Sequence, residues 1–103
     1  MATSNEELLS RLNLETGKLS WGEAERHFAK GVLVKVAAEL DLIEVAATMA
    51  LDDKTAFIQW MGAGMVTRAN TEDALRWHET QTQFWAVVVA PWVLVQEIGP
   101  IIQ

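Results

Sequence analysis

The stretch FWAVVVAPWVLV, residues 84–95, contains twelve apolar residues in a row. Its valines are β-branched and no polar residue recurs at helical spacing, so the stretch favours extended backbone. Pro91 has no backbone N–H to donate to a sheet, which predicts two strands, or one strand broken at that residue. Because the run is apolar on both alternating sides, both faces of its sheet need cover. We predict that helices cover one face and a second subunit covers the other.

Helix caps occur at intervals through the sequence that precedes this stretch. Ser, Asp or Asn followed three residues later by an acid is typical of a helix start. This pattern predicts caps at Ser4, Ser20 and Asp41, and further N-caps are predicted at Asp52 or Asp53 and at Asn70 or Thr71. The helix after Asp41 is apolar over most of its circumference, which predicts a central, buried helix. In the helix after it, Phe57, Trp60 and Met61 form the predicted buried stripe.

Two shorter segments add strands to the predicted sheet. Residues 32–36 form a β-branched run directly after Gly31, and residues 65–68 form a short candidate strand. We therefore predict an α+β fold, with a small sheet of two to four strands and four to five helices packed mainly on one face. The 103 residues are enough for a single domain, spanning residues 1–103. Residues 1–4 and 99–103 are expected to be flexible tails.

Charge and composition argue against several classes of function. The net charge is −6 and no segment is basic, so we expect no nucleic-acid partner and no anionic membrane partner. The absence of Cys rules out disulfides and thiolate metal sites. The polar N-terminus does not resemble a signal peptide, and residues 84–95 are shorter than the roughly 20 that a membrane helix needs. We expect a cytoplasmic protein.

Apolar residues are in surplus. They make up 50% of the chain without counting Gly, which exceeds the usual share in globular domains. The surplus predicts a very full core, a ligand pocket or a subunit interface. Because a small domain has much surface for its volume, we favour a homo-oligomer, with a dimer preferred. The candidate interface residues are Trp85, Trp92, Val93 and Val95, since Trp is enriched at interaction hot spots.

Two histidines are candidates for ligand binding or proton transfer. His78 falls between Ala74 and Leu75 in angle, on the apolar face of the last predicted helix. A buried imidazole there would be a tuned base, a metal ligand, or a core side chain hydrogen-bonded to a carbonyl. His27 lies one turn after Glu23 on the same helix face. Two ligands are too few for tetrahedral zinc, so we predict no metal site.

Arginine side chains are the remaining candidates for contact with a ligand. Arg26, Arg68 and Arg76 are each able to clamp an anion, or to pair with a nearby acid, as Arg76 can with Glu72. No catalytic residue and no cofactor are predicted, and any small-molecule ligand is unknown. Of three candidate functions a metal protein is the weakest, and the two others are favoured. One is a non-catalytic, self-associating interaction module; the other is a small-molecule binding domain or minor enzyme using His78 with an Arg in a pocket lined by Trp and Met.

Three segments together resemble a known bacterial family, domain of unknown function 2288. They are LNLETGKLSW (12–21), LDLIEVAATMALDD (40–53) and FWAVVVAPWVLVQEI (84–98). The similarity extends over about residues 8–98, and AVVVAPWVLVQ (86–96) is its most specific part. The resemblance implies a bacterial cytoplasmic protein that is usually a whole small chain. It implies no activity, cofactor or catalytic residue, so no functional position is carried over.

Overall fold

The computed structural model describes the backbone of residues 2–100 and the side chains of residues 6–98. Helices and strands alternate along the first part of the chain, and two strands end it. From the N-terminus the elements are α1 (Ala2–Glu15), β1 (Gly17–Ser20), α2 (Trp21–Ala29), β2 (Leu33–Val36), α3 (Leu42–Ala50), α4 (Lys54–Gly62), β3 (Val66–Arg68), α5 (Thr71–Thr80), β4 (Thr82–Val89) and β5 (Trp92–Pro100).

The strands form one mixed sheet in the order β1-β4-β5-β2-β3. The β2 and β5 strands run parallel, and the other neighbouring pairs are antiparallel. This confirms the α+β class, but the five strands described exceed the two to four that were predicted. The unpredicted strand is β1, whose sequence GKLS has no β-branched residue and pairs only along the edge of β4.

The apolar stretch at residues 84–95 is extended, as predicted. It contributes most of β4 and the beginning of β5, and the chain reverses between them at Ala90 and Pro91. Val88 lies opposite Val93 in this antiparallel pair. Among the described residues, no helix has both the length and the apolar character needed to cross a bilayer.

Local capping chemistry explains where several helices begin and end. The Ser20 hydroxyl accepts the Glu23 N–H at 3.3 Å, and the Asp41 carboxylate accepts the Ile43 N–H at 2.9 Å. Gly31 follows α2 with φ +75°, a left-handed conformation that glycine adopts at little cost. The cap predicted at Ser4 is wrong, because α1 already begins at Ala2.

Helices of this chain cover both faces of the sheet. Leu12 of α1 and Val45 of α3 pack with Leu94 on one face, where α4 also contributes half-buried side chains. Trp21 of α2 and Trp77 of α5 pack with other sheet residues on the opposite face. The prediction that helices pack mainly on one face is therefore wrong. The strands are apolar on both sides because each side has its own helical layer.

This three-layer arrangement changes the role of two residues predicted at a subunit interface. Val93 and Val95 are 5% and 1% exposed and lie in the core beneath α2 and α5. A second subunit is thus not needed to cover that side of the sheet. Of the predicted tails, residues 2–4 belong to α1 and residues 99–100 to β5, whereas Met1 and residues 101–103 lie outside the described residues.

Candidate functional site

His78 lies on the outer side of α5. Its side chain is exposed, and its backbone carbonyl accepts a hydrogen bond from Gln81 Nε2 at 2.6 Å. The prediction that it occupies the apolar face is wrong, because the buried stripe of α5 is made by Asp73, Ala74 and Trp77. Leu75, three residues before His78, points outward with it and is 63% exposed.

His27 is half-buried in the last turn of α2. Glu23, on the same helix, already serves as the acid of the capping box with Ser20. Within the part of the chain that the structure describes, no three acidic, His or Cys side chains come close enough together to hold a metal ion. His27 is on α2 and His78 is on α5. Neither side chain lines the cavity beside Lys35 and Glu97 or the two cavities beside Trp92.

Arg76 belongs to a charged cluster at the edge of the α5 layer. Its guanidinium makes two hydrogen bonds to the Glu97 carboxylate, at 2.9 and 3.0 Å. It also lies 3.6 Å from Asp73, which accepts a 2.9 Å hydrogen bond from Lys35 Nζ. The cluster joins β2, α5 and β5. Lys35 and Glu97 both line an adjoining cavity of about 390 Å³.

The charges in this cluster stabilise one another. Burial opposes ionisation of Asp73, but hydrogen bonds from Lys35 and from the Asn70 N–H outweigh it and lower the pKa of Asp73. The hydrogen bonds from Arg76 lower the pKa of Glu97, and the same contact raises the pKa of Arg76. Both carboxylates are therefore ionised at neutral pH and bonded to cations, which suits an ion-pair network that anchors α5.

We expect acid to destabilise the protein through these two carboxylates. The pKa values of Asp73 and Glu97 are lower in the folded chain than the value of roughly 4 in an unfolded chain. The stability that the two carboxylates contribute is therefore complete above the unfolded pKa and is lost as the pH falls through the folded pKa values. Urea unfolding measured from about pH 6 to pH 2 should show a falling free energy of unfolding. Glu97→Gln should flatten the curve, and an unchanged slope in this variant would contradict the assignment.

An apolar groove lies on the other side of the sheet, between α4 and the strands β5, β2 and β3. It consists of two adjoining cavities of about 340 and 270 Å³. Both are lined by Met49, Phe57 and Trp92, which we take as the definition of the Trp92 groove. The larger cavity falls at the lower end of the volumes of small-molecule sites, which are mainly apolar with a few polar groups.

Charged side chains stand at both ends of the Trp92 groove. Arg68, at the end of β3, stacks on the Trp92 ring with its guanidinium carbon 5.1 Å from the ring centroid. Asp52, Asp53 and Lys54 line the other cavity, and the Asp53 carboxylate is the N-cap of α4. A similar stack of Lys18 on Trp85 occurs elsewhere, at 5.4 Å.

The outward side of α4 is unusually apolar. Among its nine residues, Ala56, Phe57, Ile58, Trp60 and Met61 are apolar, yet none of the nine is buried. Phe57 and Trp60 are half-buried against the core, whereas Ile58 is 65% and Met61 52% exposed. The predicted burial of Met61 is thus wrong. Ile58 and Met61 define what we call the α4 surface, which borders the groove, since each lines one of its cavities.

A family model described as Protein of unknown function (DUF2288) matches residues 7–97. The chain belongs to this family. Among solved structures, this DUF2288 chain is similar to a structure described as the NMR solution structure of PA1075 from Pseudomonas aeruginosa. The two share 38% sequence identity with a TM-score of 0.80, over 94% of this chain and 90% of that one. No curated protein matches the sequence.

The sequence of this DUF2288 chain predicted some residues of the Trp92 groove and of the α4 surface, but not the others. Trp92 and Arg68 were both candidates, but only the register of β2 with β3 and β5 brings them together. The exposure of Ile58 had a signal in the sequence, because the apolar residues of α4 extend beyond one narrow stripe: Ile58 lies beside the stripe of Phe57, Trp60 and Met61. A short helix of this kind needs cover on more sides than its own chain supplies.

Proposed function

We propose that this DUF2288 protein is a non-catalytic, cytoplasmic interaction module that self-associates through the α4 surface. The observation that carries the proposal is the exposure of Ile58 and Met61 on a helix without any buried residue. Because Ile58 is 65% and Met61 52% exposed, burying what remains exposed of each contributes roughly 1–2 kcal/mol. Contact between two α4 helices across a two-fold axis would bury Ile58 and Met61 in both copies.

Charge favours α4 over other surfaces for contact between identical copies. The chain has a net charge of −6, so two copies repel each other over most orientations. Between Lys54 and Gly62, however, there is no acidic residue. A symmetric contact along this helix would therefore remove apolar side chains from water, and the helix itself would bring no carboxylate into the contact. The absence of Cys also suits a reducing compartment.

The non-catalytic part of the proposal is supported by the state of the titratable groups. Asp73, Arg76 and Glu97 have shifted pKa values, and they are bonded to one another or to Lys35. Catalytic acids and bases usually have pKa values moved toward neutrality. Here the carboxylate values move away from it.

We expect size-exclusion chromatography with light scattering to give twice the 11.5 kDa chain mass at high concentration, with dissociation on dilution. Ile58→Glu should give the chain mass throughout, because a carboxylate would lie in the apolar contact. Leu75→Glu is the matched control: Leu75 is 63% exposed, close to the 65% of Ile58, but it lies on the opposite helical layer. This control should dimerise like the wild type.

Two results would count against self-association through α4. A wild-type protein that has the chain mass at every concentration removes the proposal. Dissociation by Leu75→Glu as complete as that by Ile58→Glu would move the contact away from the α4 surface. Circular dichroism of both variants, unchanged from the wild type, would establish that the monomer fold is retained, as expected for two exposed positions.

A second candidate function is binding of a small molecule, favoured by the two joined cavities of the Trp92 groove. The sequence suggested an Arg in a pocket lined by Trp and Met, and Met49, Met61 and Trp92 form such a lining beside Arg68. His78 is exposed on α5 and does not line either cavity, so it has no part in this candidate.

A further inference from the structure

We infer that the Trp92 groove binds an amphipathic organic anion, with its apolar tail in the groove and its acid group on Arg68. The inference rests on the second candidate function, small-molecule binding, and adds the chemical class of the ligand. It names a site distinct from the ion-pair cluster of α5, which lies on the other face of the sheet.

The apolar part of the site comes from helix and strand residues that all belong to one face of the sheet. Met49 of α3 and Phe57 of α4 face Trp92 of β5 across both cavities. Val34 and Val66 extend the apolar lining toward the edge of the sheet. Met and aromatic side chains adapt to the shape of an apolar guest, because they combine large contact area with soft, polarisable groups. A flexible hydrocarbon tail suits such a lining.

The anionic part of the inference comes from the state of Arg68. Its side chain is exposed at the groove, and no carboxylate of the described residues lies within ion-pair distance of it. Arg76, by contrast, is paired with Glu97 and Asp73. The Trp92 ring holds the Arg68 guanidinium at the groove, with the guanidinium carbon 5.1 Å from the ring centroid. A guanidinium held in this way matches the two oxygens of a carboxylate.

The acidic side chains at the far end of the groove do not compete for Arg68. Asp53 accepts the Ala56 N–H at 3.3 Å as the cap of α4. Asp52 and Asp53 line the cavity that Lys54 also lines, whereas Arg68 lines the other. The groove is therefore cationic at the Arg68 end, and an acid group is expected to bind there, with the tail lying toward Met49 and Phe57.

Octanoate and octanol are the probes that test this inference, since they share a tail and differ in the head group. Each would be titrated into the full chain while NMR follows the Trp92 indole and the methyl groups of Met49 and Met61. We expect octanoate to shift these signals and to bind at least about tenfold more tightly than octanol, as a charge-assisted hydrogen bond gives. In Arg68→Gln the preference should disappear while octanol binding is unchanged.

Lys18→Gln is the matched control, because Lys18 also stacks on a tryptophan, Trp85, but lines neither cavity of the groove. It should keep the preference for octanoate. Equal binding of both probes to the wild type would overturn the inference and leave small-molecule binding standing. No shift with either probe would overturn both. Loss of the preference in Lys18→Gln as well as in Arg68→Gln would also overturn it, since net charge would then explain the effect.

Discussion

Replacing Trp77 by alanine is expected to lower the free energy of unfolding by about 3–5 kcal/mol, the range for removal of a fully buried large aromatic side chain. Trp77 is 0% exposed. Its ring meets Phe84 edge to face, with centroids 4.9 Å apart, and Trp21 at 5.8 Å. It therefore joins α5, α2 and β4, and the cavity left by the substitution would be bounded by all three. Urea unfolding followed by far-UV circular dichroism measures the loss.

The control for this prediction is Trp85→Ala. Trp85 lies on neighbouring β4 but is 42% exposed, and the Lys18 ammonium lies over its ring, 5.4 Å from the centroid. Its truncation should cost about 1 kcal/mol, as for a partly exposed residue with one weak cation–π contact. If the two variants lost equal stability, the side of the sheet that α2 and α5 cover would not be a packed core.

Asp73→Ala should have the next largest effect on folding, a loss of about 2–3 kcal/mol, since removing one partner of a buried ion pair leaves the others uncompensated. Asp73 is 7% exposed. Its carboxylate accepts hydrogen bonds from Lys35 Nζ at 2.9 Å and from the Asn70 N–H at 3.0 Å. The substitution would remove half of the α5 capping box and the tether between α5 and β2. The expected value stays below that of a fully buried pair because the Lys35 side chain is 33% exposed.

Glu23→Ala isolates the capping part of this effect. Glu23 has the same position in the α2 capping box that Asp73 has in α5, but it is exposed and bonds only to Ser20. Its loss should cost about 1 kcal/mol or less. The difference between the two variants, measured by urea unfolding, then reports the contribution of the ion pair. No difference would mean that the Lys35 contact adds nothing to stability.

Local chemistry accounts for the parts of the fold that the sequence predicted well. Ser20, Asp41 and Gly31 act on backbone groups within a few residues, so their consequences do not depend on the rest of the chain. The valine-rich stretch at 84–95 is extended for a similarly local reason. The face on which each helix packs is not local. It follows from how strands that are distant in sequence are ordered in the sheet, and the placing of α2 and α5 opposite α3 was therefore not predicted.

The candidate site was only partly predictable for the same reason. The spacing of Ala74, Leu75 and His78 is compatible with one apolar face, but packing selects the stripe through Ala74 and Trp77 and leaves His78 outside. Arg68 and Trp92 were individually noticeable as an anion-binding residue type and a hot-spot residue type. Their stacking depends on strand pairing across the sheet, which residue spacing does not encode.

The most direct test of self-association is an isotope-filtered NOE experiment on a mixture of labelled and unlabelled chains. It detects only contacts between two copies, so it reports the interface without any substitution. Our account predicts intermolecular NOEs from the methyl groups of Ile58 and Met61, and none from Leu75 on the opposite layer. Intermolecular NOEs that come only from residues outside α4 would contradict this account. The absence of any intermolecular NOE, at the concentration at which light scattering gives the highest mass, would also contradict it.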